Sequence, residues 1–264
     1  MMSQMEKRLS KPKLGQHFLM HPRIAERIAQ VARLHPGETV LEVGPGRGIL
    51  TEALLARGGT VVAVEADASL IPELEERFHA AISGQRLVLI HADIREYLSS
   101  EHPQKMTTVQ NSGYCVVANI PYYLTGELIR TLLSREHQPS SMTLLVQKEV
   151  AERIAREKKG SLLSLSVKAY GEPCYEFTVP RGVFRPAPSV DSAVMSIRDI
   201  SRRHFKTSAD EERFFAFIRA GFAHKRKYAR SNLAAAGLSG QNLPEKVRAE
   251  DLSLADWLAL ARSG

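Results

Sequence analysis

Residues 115–122 read CVVANIPY, an apolar run that ends in Asn-Ile-Pro-Tyr. An apolar run closed by a proline is typical of a buried strand that stops abruptly. Asn119 then lies at the carboxyl end of that strand, where open α/β sheets bind their ligands. Its side chain offers an acceptor oxygen, and the Ile120 carbonyl is kept out of a helix because Pro121 follows it. With the flat ring of Tyr122 beside them, two acceptors suit an exocyclic amine on a planar base, although a strand-ending turn with a packed tyrosine has the same sequence.

Strands and helices alternate on both sides of this segment. The predicted strands are 39–43, 60–65, 87–91, 114–118 and 142–146. A first helix is predicted after Pro22 and is ended by residues 35–37, and the further predicted helices are 49–57, 67–81, 124–134, 148–156 and 161–170. Such alternation predicts an α/β fold, a Rossmann-like and mostly parallel sheet with helices on both faces. Two closing strands are expected at 175–179 and 193–198. They are joined by residues 184–188, which are too rich in proline for a strand or a helix.

The pattern changes near residue 200, beyond which only helices are predicted. These helices are 210–223, 228–236 and a last one capped by Ser253. The sequence therefore predicts a catalytic α/β domain over residues 1–200 and a small all-helical domain over residues 201–264. Residues 99–112 are polar and poorly patterned, which indicates a surface loop.

The charge of the chain is positive and unevenly distributed. The 264 residues are 44% hydrophobic, enough for a substantial core, and carry a formal net charge of +7. Residues 1–35 carry +5, residues 36–198 carry −2 and residues 199–264 carry +4. An excess of positive charge favours an acidic partner, with nucleic acid first, although ordinary surface solvation is the alternative. The basic residues expected to contact RNA phosphates are Arg202, Arg203, Lys225, Arg226, Lys227 and Arg230.

Several classes of protein are disfavoured. The two cysteines, Cys115 and Cys174, make neither a disulfide framework nor a zinc site, and Cys115 is expected to be buried. His17 and His21 are four apart, but Pro22 breaks the helix they would need, so no metal site is predicted. No secretory signal and no run of about 20 apolar residues is present. These features predict a cytoplasmic protein without a membrane segment.

A glycine-rich turn points to a cofactor. Residues 42–48 read EVGPGRG between a predicted strand and a predicted helix, where glycines let a ligand approach the backbone and the helix amides. Position 49 is Ile, so the third glycine of a dinucleotide fingerprint is missing. Glu65 ends the next strand, 21 residues after Gly44, where a carboxylate can accept hydrogen bonds from ribose hydroxyls. Asp93 follows the third strand and can accept from an adenine amino group. Three consecutive strand ends of this kind predict an adenosine-type cofactor.

These motifs together resemble those of class I S-adenosylmethionine-dependent methyltransferases that modify exocyclic amines. Three further segments narrow the resemblance: LGQHFL at 14–19, VQKEV at 146–150 and FRPAPSVDSAV at 184–194. From about Lys13 to Asn232 the chain resembles the ribosomal RNA adenine dimethyltransferase family, and in particular its bacterial small-subunit branch. The resemblance implies dimethylation of N6 on two adjacent adenines, in the hairpin loop near the 3′ end of small-subunit rRNA. It further implies a pre-30S particle as partner and a monomeric enzyme without a metal.

The resemblance also implies roles for individual residues. The expected S-adenosylmethionine contacts are His17, Leu19, Gly44, Glu65, Asp93 and Asn119. His17 stands where many members of the family have Asn. The expected catalytic segment is Asn119, Ile120, Pro121 and Tyr122, in which Tyr122 stacks on the target base and Phe184 covers its other face.

Three alternatives remain open from sequence. One is the related large-subunit rRNA dimethyltransferase type. It is disfavoured by two short segments, residues 15–17 near the start of the chain and residues 190–194. Another is a non-catalytic RNA-binding assembly factor, which the intact set of strand-end residues argues against. A nicotinamide dehydrogenase is disfavoured by Ile49.

Overall fold

The computed structural model describes residues 16–35, 37–99 and 113–263. Predictions for the basic N-terminal residues, and nearly all of the predicted loop at 99–112, lie outside these described residues.

A seven-stranded sheet forms the centre of the described protein. The strands along the chain are β1 (Phe18–Leu19), β2 (Thr39–Val43), β3 (Thr60–Glu65), β4 (Leu87–His91), β5 (Tyr114–Asn119), β6 (Ser141–Gln147), β7 (Glu172–Val179), β8 (Phe184–Arg185) and β9 (Ser192–Arg198). The large sheet has the order β4-β3-β2-β5-β6-β9-β7, and β1 pairs separately with β8. Strands β2 to β6 run parallel, whereas β9 is antiparallel to both β6 and β7. The predicted strands are confirmed.

Helices connect the parallel strands and cover both faces of the sheet. They are α1 (Pro22–Val31), α2 (Ile49–Ala56), α3 (Ile71–Arg77), α4 (His79–Ser83), α5 (Ile94–Ser99), α6 (Thr125–Ser134), α7 (Lys148–Ala155), α8 (Leu162–Tyr170), α9 (Ser208–Gly221), α10 (Ala229–Ala235) and α11 (Leu254–Ser263). Strand β5 shows why the parallel strands are mostly apolar. Val116 and Ala118 belong to the core on one face, and Cys115 and Val117 to the core on the other. The predicted α/β fold with helices on both faces is confirmed.

The C-terminal helices pack around a third core that is centred on Trp257, which is fully buried. Gly221 of α9 lies against this ring so closely that a Cβ atom there would be 2.2 Å from Trp257 Cη2. Leu165 and Ala169 of α8 belong to the same core. The helical C-terminal region is therefore as predicted, and it is anchored directly on the α/β part.

Two local predictions are wrong. The single helix predicted over 67–81 is two helices, α3 and α4, and α3 begins only at Ile71 because Pro72 favours the first turn of a helix. The break falls at Phe78, whose ring packs onto the glycine-rich turn: a Cβ atom at Gly48 would be 2.4 Å from Phe78 Cε2. Residues 184–188 were expected to contain no strand. The first two residues of this segment nevertheless form β8, since neither is proline and both can pair with β1.

Candidate active site

The sheet reverses its direction of winding between β2 and β5. From β2 the chain steps outward to β3 and β4, and β5 and β6 then lie on the opposite side of β2. Ligands of open α/β sheets bind at the carboxyl ends of the strands beside such a reversal. A cavity opens at this position. Its lining comes from β1 and the residues before it (Gln16, His17, Phe18, Leu19), from the turn after β2 (Gly44, Pro45, Gly46, Arg47), from the ends of β3 and β4 (Glu65, Ala66, Ala92, Asp93) and from the segment after β5 (Asn119, Ile120, Pro121, Tyr122, Tyr123).

The turn after β2 has a backbone that only glycine adopts easily. Gly44 and Gly46 have φ values of +69° and +57°, and Gly48 precedes α2 at +77°. A Cβ atom at Gly46 would be 2.9 Å from Phe18 Cδ1, and one at Gly44 would be 3.9 Å from the main-chain oxygen of Asn119. The absence of a side chain at Gly46 therefore lets Phe18 of β1 approach the turn closely, whereas Gly44 is favoured by its backbone conformation.

Glu65 is held by backbone amides at the end of β3. Its Oε2 accepts a hydrogen bond from Gly46 N at 3.0 Å, and its Oε1 accepts from Asp67 N at 2.9 Å. Burial raises the pKa of Glu65, while these amides favour the charged form. Each carboxylate oxygen has two acceptor positions, so Glu65 retains acceptor capacity toward the cavity.

Asp93 immediately precedes α5 and is paired with Arg95, a residue that was not predicted from sequence. Asp93 Oδ1 accepts from Arg95 N at 2.8 Å, and the guanidinium binds both oxygens, with Nε–Oδ1 at 3.0 Å and Nη2–Oδ2 at 2.7 Å. Hydrogen bonding to the Arg95 side chain holds the pKa of Asp93 below its ordinary value. A charged residue two positions after the acid was the available sequence signal for this pair.

The orientation of the Asn119 side chain is fixed by its partner. Asn119 Nδ2 lies 3.0 Å from the main-chain oxygen of His17. Because a carbonyl can only accept, the nitrogen must face it, and Oδ1 is turned away from that bond. Within the described residues, neither Asn119 Oδ1 nor the Ile120 carbonyl accepts a hydrogen bond. Both residues line the cavity, and their role as acceptors for an amine stays a prediction.

Tyr122 is anchored by Ser192, another residue that sequence reasoning missed. The Tyr122 hydroxyl lies 2.8 Å from Ser192 Oγ, and Ser192 is completely buried in β9. Burial raises the pKa of Tyr122, so the phenol is neutral. Its ring lies beside that of His17, with 5.5 Å between centroids and an interplanar angle of 35°.

Strand β8 pairs with β1 and holds it beside the cavity. Phe18 pairs with Arg185 and Leu19 with Phe184, and His17 Nδ1 lies 2.8 Å from the carbonyl of Pro186. The Phe184 ring is 1% exposed, belongs to the core beneath β1 and does not line the cavity. The structure thus places His17 and Leu19 in the lining of the cavity, whereas the ring of Phe184 lies in the core and does not reach the cavity.

A buried acid lies beneath the turn, at Glu42 of β2. Glu42 is 1% exposed, and neither of its carboxyl oxygens forms a hydrogen bond within the described residues. Burial raises the pKa of Glu42 to about 8, although the nearby Thr51 hydroxyl slightly favours the charged form. Glu42 is therefore mostly neutral at pH 7, which limits its repulsion of Glu65.

The basic residues predicted to contact RNA fall into two groups. Arg202 donates to Glu211 Oε2 from Nε at 2.8 Å and to the carbonyl of Arg135 from Nη2 at 2.7 Å, just after α6. Arg203 pairs with Glu172 at 3.2 Å. By contrast, Lys225, Arg226, Lys227 and Arg230 form no ion pair within the described residues.

The turn that carries Lys225, Arg226 and Lys227 is held from behind by Asn232. This side chain is 2% exposed, and its Nδ2 donates to the carbonyls of Gly221 at 2.6 Å and His224 at 3.1 Å. The three cations are exposed on a turn whose base is fixed in the third core.

The described residues contain neither a candidate metal cluster nor a candidate membrane helix. No cluster of three or more His, Cys, Asp or Glu side chains there could hold a metal ion. No helix there is long and apolar enough to cross a membrane.

Solved structures with this fold define the class of protein. The chain is similar to the 23S rRNA methyltransferase ErmE, with a TM-score of 0.70 and 26% identity, and the match covers 93% of this chain and 98% of that one. A dimethyladenosine transferase from Plasmodium falciparum has the same fold, with a TM-score of 0.73 and 24% identity over 92% and 96% of the two chains. The protein is a class I methyltransferase, and this class uses S-adenosylmethionine as its methyl donor.

The family follows from sequence comparison. The family model described as ribosomal RNA adenine dimethylase matches residues 7–263. A relative from Dehalococcoides mccartyi, named ribosomal RNA small subunit methyltransferase A, is 40% identical over 258 residues, 94% of this chain and 86% of the relative. A protein of the same name from Fusobacterium nucleatum is 34% identical over 267 residues, 96% of both chains. The chain belongs to the ribosomal RNA adenine dimethylase family, and the resemblance seen in the sequence is confirmed.

Proposed function

We propose that the protein transfers methyl groups from S-adenosylmethionine to N6 of two adjacent adenines in small-subunit rRNA. The adenines lie in the 3′-terminal hairpin loop, and the product is N6,N6-dimethyladenosine. The observation that carries this proposal is the orientation of Asn119, whose Nδ2 is committed to His17 and whose Oδ1 is left to accept from an amine. The names of the small-subunit relatives support the choice of RNA.

The cavity fits an adenosine-type methyl donor. Gly46 lies too close to Phe18 to carry a side chain, and Gly44 carries none, so the backbone at these two positions is open to a ligand. Glu65 has acceptor positions for ribose hydroxyls, and Asp93 can accept from the adenine amino group through positions that Arg95 leaves. His17, Leu19 and Asn119 complete the set of proposed contacts. When bound, the cofactor supplies an electrophilic methyl group.

The chain's own residues activate the amine by position rather than by removing a proton first. An adenine N6 is a poor nucleophile because its lone pair is delocalised into the ring. If Asn119 Oδ1 and the Ile120 carbonyl each accept one N6–H, the nitrogen moves toward tetrahedral geometry and its lone pair becomes available. These two fixed acceptors also stabilise the positive charge that develops on N6, much as an oxyanion hole stabilises negative charge. One N6 proton then passes to water, which gives the neutral methylated amine.

Tyr122 orients the base, and Pro121 fixes the backbone conformation just before Tyr122. The target must leave its stack to reach the cavity, and stacking on an aromatic ring recovers about 1–3 kcal/mol. Because Tyr122 is tied to Ser192 and lies beside His17, its ring is already ordered before a base arrives. Phe184 contributes through its pairing with Leu19, which holds β1 over the site, and a stacking role for its ring would require that ring to leave the core.

The RNA is proposed to lie across the C-terminal helices. Lys225, Arg226, Lys227 and Arg230 form no ion pair in the part of the chain that the structure describes, and they would hold phosphates. Arg202 and Arg203 would have to exchange their carboxylate partners to do the same. Structured RNA is read largely by shape, so this surface would select the ribosomal site. We further propose that a monomer acts in the cytoplasm on a pre-30S particle.

The proposal is tested by supplying labelled S-adenosylmethionine with three substrates: undermethylated small subunits, large subunits and naked rRNA. We expect label on two adjacent adenines of small-subunit rRNA, identified as dimethyladenosine by nuclease digestion and mass spectrometry. Label confined to large subunits would overturn the choice of substrate. No transfer to any RNA, with cofactor binding intact, would instead favour a non-catalytic assembly factor.

A further inference from the structure

Tyr123 is an exposed aromatic residue at the mouth of the active site. The short 3₁₀ turn Tyr122–Leu124 follows β5 and sends its three side chains in different directions. Tyr122 points to Ser192, Leu124 is buried, and Tyr123 is 67% exposed while still lining the same cavity as Asn119. Within the described residues, Tyr123 forms no hydrogen bond and no ring contact. A single exposed aromatic is common on proteins, so its surroundings decide its meaning.

The surroundings of Tyr123 combine a cation with apolar surface. Arg95 lies within electrostatic reach of Tyr123 and Glu127, its side chain is 54% exposed, and its Nη1 donates to no described residue. A shallow groove between α5 and α6 begins at the same point. Its lining combines the apolar side chains of Ile94, Leu98, Leu124 and Leu128 with the polar side chains of Arg95, Ser99, Glu127 and Thr131. A flat ring, a guanidinium with a free donor and a partly apolar groove match the base and phosphate of one unpaired nucleotide.

The proposed reaction requires a place for such a nucleotide. Because the two target adenines are adjacent, one of them must remain outside the cavity while the other is methylated. If that second adenine had no contact with the protein, its position beside the cavity would not be fixed. Tyr123 is the next residue after the ring that is proposed to hold the target.

We propose that Tyr123 and Arg95 form a second subsite, in which Tyr123 stacks on the base next to the target adenine and Arg95 contacts its phosphate. This inference rests on the proposed function and deepens it. The subsite keeps the neighbouring adenine beside the cavity, so that the two adenines are presented in turn without release of the particle.

The test compares Tyr123→Ala with Tyr123→Phe, which keeps the ring and removes only the hydroxyl. The first measurement is methyl transfer to undermethylated small subunits, with the extent at each adenine read separately. The second is binding of a hairpin RNA that carries 2-aminopurine next to the target adenine, because stacking on an aromatic ring quenches its fluorescence. Cofactor affinity and thermal unfolding are measured for both variants, as controls for the cofactor site and the fold.

For Tyr123→Ala we expect the KM for small subunits to rise about tenfold, the magnitude of one lost stacking interaction. The fraction of particles methylated at both adenines in one encounter should fall, and the quench of 2-aminopurine should be lost. Tyr123→Phe should behave like the wild type in each measurement. Cofactor affinity should be unchanged in both variants.

Three outcomes would overturn the subsite. These are wild-type behaviour of Tyr123→Ala, equal defects in the Ala and Phe variants, or a defect in Tyr123→Ala that is confined to cofactor affinity. Failure of the subsite is distinct from failure of the proposed function. If only the subsite is wrong, the wild-type protein still dimethylates both adenines of the small subunit. If the proposed function is wrong, the wild-type protein methylates neither of them.

Discussion

The side-chain amide of Asn119 donates a hydrogen bond to the main-chain carbonyl of His17, 102 residues earlier in the chain. This bond connects the end of β5 to the residue before β1, the strand that pairs with β8. It also decides which atom of the amide faces the cavity, because the carbonyl partner accepts only the nitrogen. One side chain thus fixes the N-terminal segment and presents an acceptor to the target amine.

Replacing Asn119 should separate chemistry from cofactor binding. Asn119→Ala removes the acceptor, and we expect single-turnover methyl transfer to fall by about 10²–10³-fold, as when one preorganised polar group is lost from an active site. The affinity for S-adenosylmethionine, measured by calorimetry, should weaken by about tenfold or less, because a single hydrogen bond to His17 contributes about 0.5–1.5 kcal/mol.

Asn119→Asp is the matched variant for this test. A carboxylate keeps an acceptor oxygen but cannot donate to the His17 carbonyl, so it should loosen the N-terminal segment and weaken cofactor affinity at least as much as Asn119→Ala. Methyl transfer by Asn119→Ala at the wild-type rate would contradict the proposed role of Asn119 as an acceptor for the target amine.

The bond between Tyr122 and Ser192 predicts a substrate-binding defect at a residue inside the sheet. In Ser192→Ala the Tyr122 hydroxyl loses its partner, and the ring is no longer held in position. A polar group left without its bond costs about 1–3 kcal/mol, so we expect the KM for small subunits to rise roughly fivefold or more. Cofactor affinity should not change, and Ser192→Thr should restore the KM if its hydroxyl reaches Tyr122.

Tyr122→Phe provides the comparison, since it removes the other half of the same bond. The double variant should then be no worse than either single one, because residues in one hydrogen bond are not additive. Additive effects of the two substitutions on KM would show that Ser192 acts through something other than Tyr122.

The two groups of basic residues should respond differently to salt. Combined replacement of Lys225, Arg226 and Lys227 by Ala should weaken RNA binding and reduce the slope of log K against log salt by about 2–3, since each phosphate contact contributes about 0.7–0.9. Arg202→Ala should leave this slope unchanged and instead lower the free energy of unfolding by on the order of 2 kcal/mol. The reason is that Arg202 joins α9 to the end of α6 through Glu211 and main-chain carbonyls.

Filter-binding titrations across a range of salt, together with denaturant unfolding, measure both quantities. Arg203→Ala is the control, because its pair with Glu172 is exposed on both sides and such pairs contribute little. A slope reduced by about one in Arg202→Ala, with normal stability, would assign that residue to a phosphate.

The frame of the fold could be predicted from sequence because the parallel strands are buried on both faces. Burial of this kind gives uninterrupted apolar runs such as 61–64 and 115–118, and the next polar residues, Glu65 and Asn119, mark the strand ends. Gly44 and Asp93 were identified from the turns that follow their strands, and all four residues line the cavity. The seam between α3 and α4 was not predicted, because it arises from contact of Phe78 with a glycine far from it in sequence.

The sequence pattern could not predict which side chains contact each other. Ser192 lies in an apolar strand and reads as an ordinary small core residue, so nothing local connects it with Tyr122. Phe184 was assigned to the base from the resemblance, but its ring is buried under β1 because β8 pairs with that strand. Arg202 reads as a surface cation in a basic cluster, whereas the fold surrounds it with acceptors.

The buried acid of β2 should make stability depend on pH. The pKa of Glu42 is raised from 4.5 to about 8 in the folded protein, because burial disfavours its charged form. Between these values the unfolded chain gives up a proton that the folded protein keeps, so stability falls as pH rises. Glu42→Gln removes this titration, and its stability relative to the wild type should increase by up to about 1.4 kcal/mol per pH unit across this window and level off above it.

Denaturant unfolding of Glu42→Gln and of the wild type at pH 5, 6.5 and 8.5 measures the difference directly. Glu75→Gln, a substitution on the exposed side of α3, is the matched control and should show no such trend. A constant difference between Glu42→Gln and the wild type over this range would mean that Glu42 is ionised in the folded protein throughout. A cation or a set of donors would then have to accompany it beneath the glycine-rich turn, since an unpaired buried charge is too costly to retain.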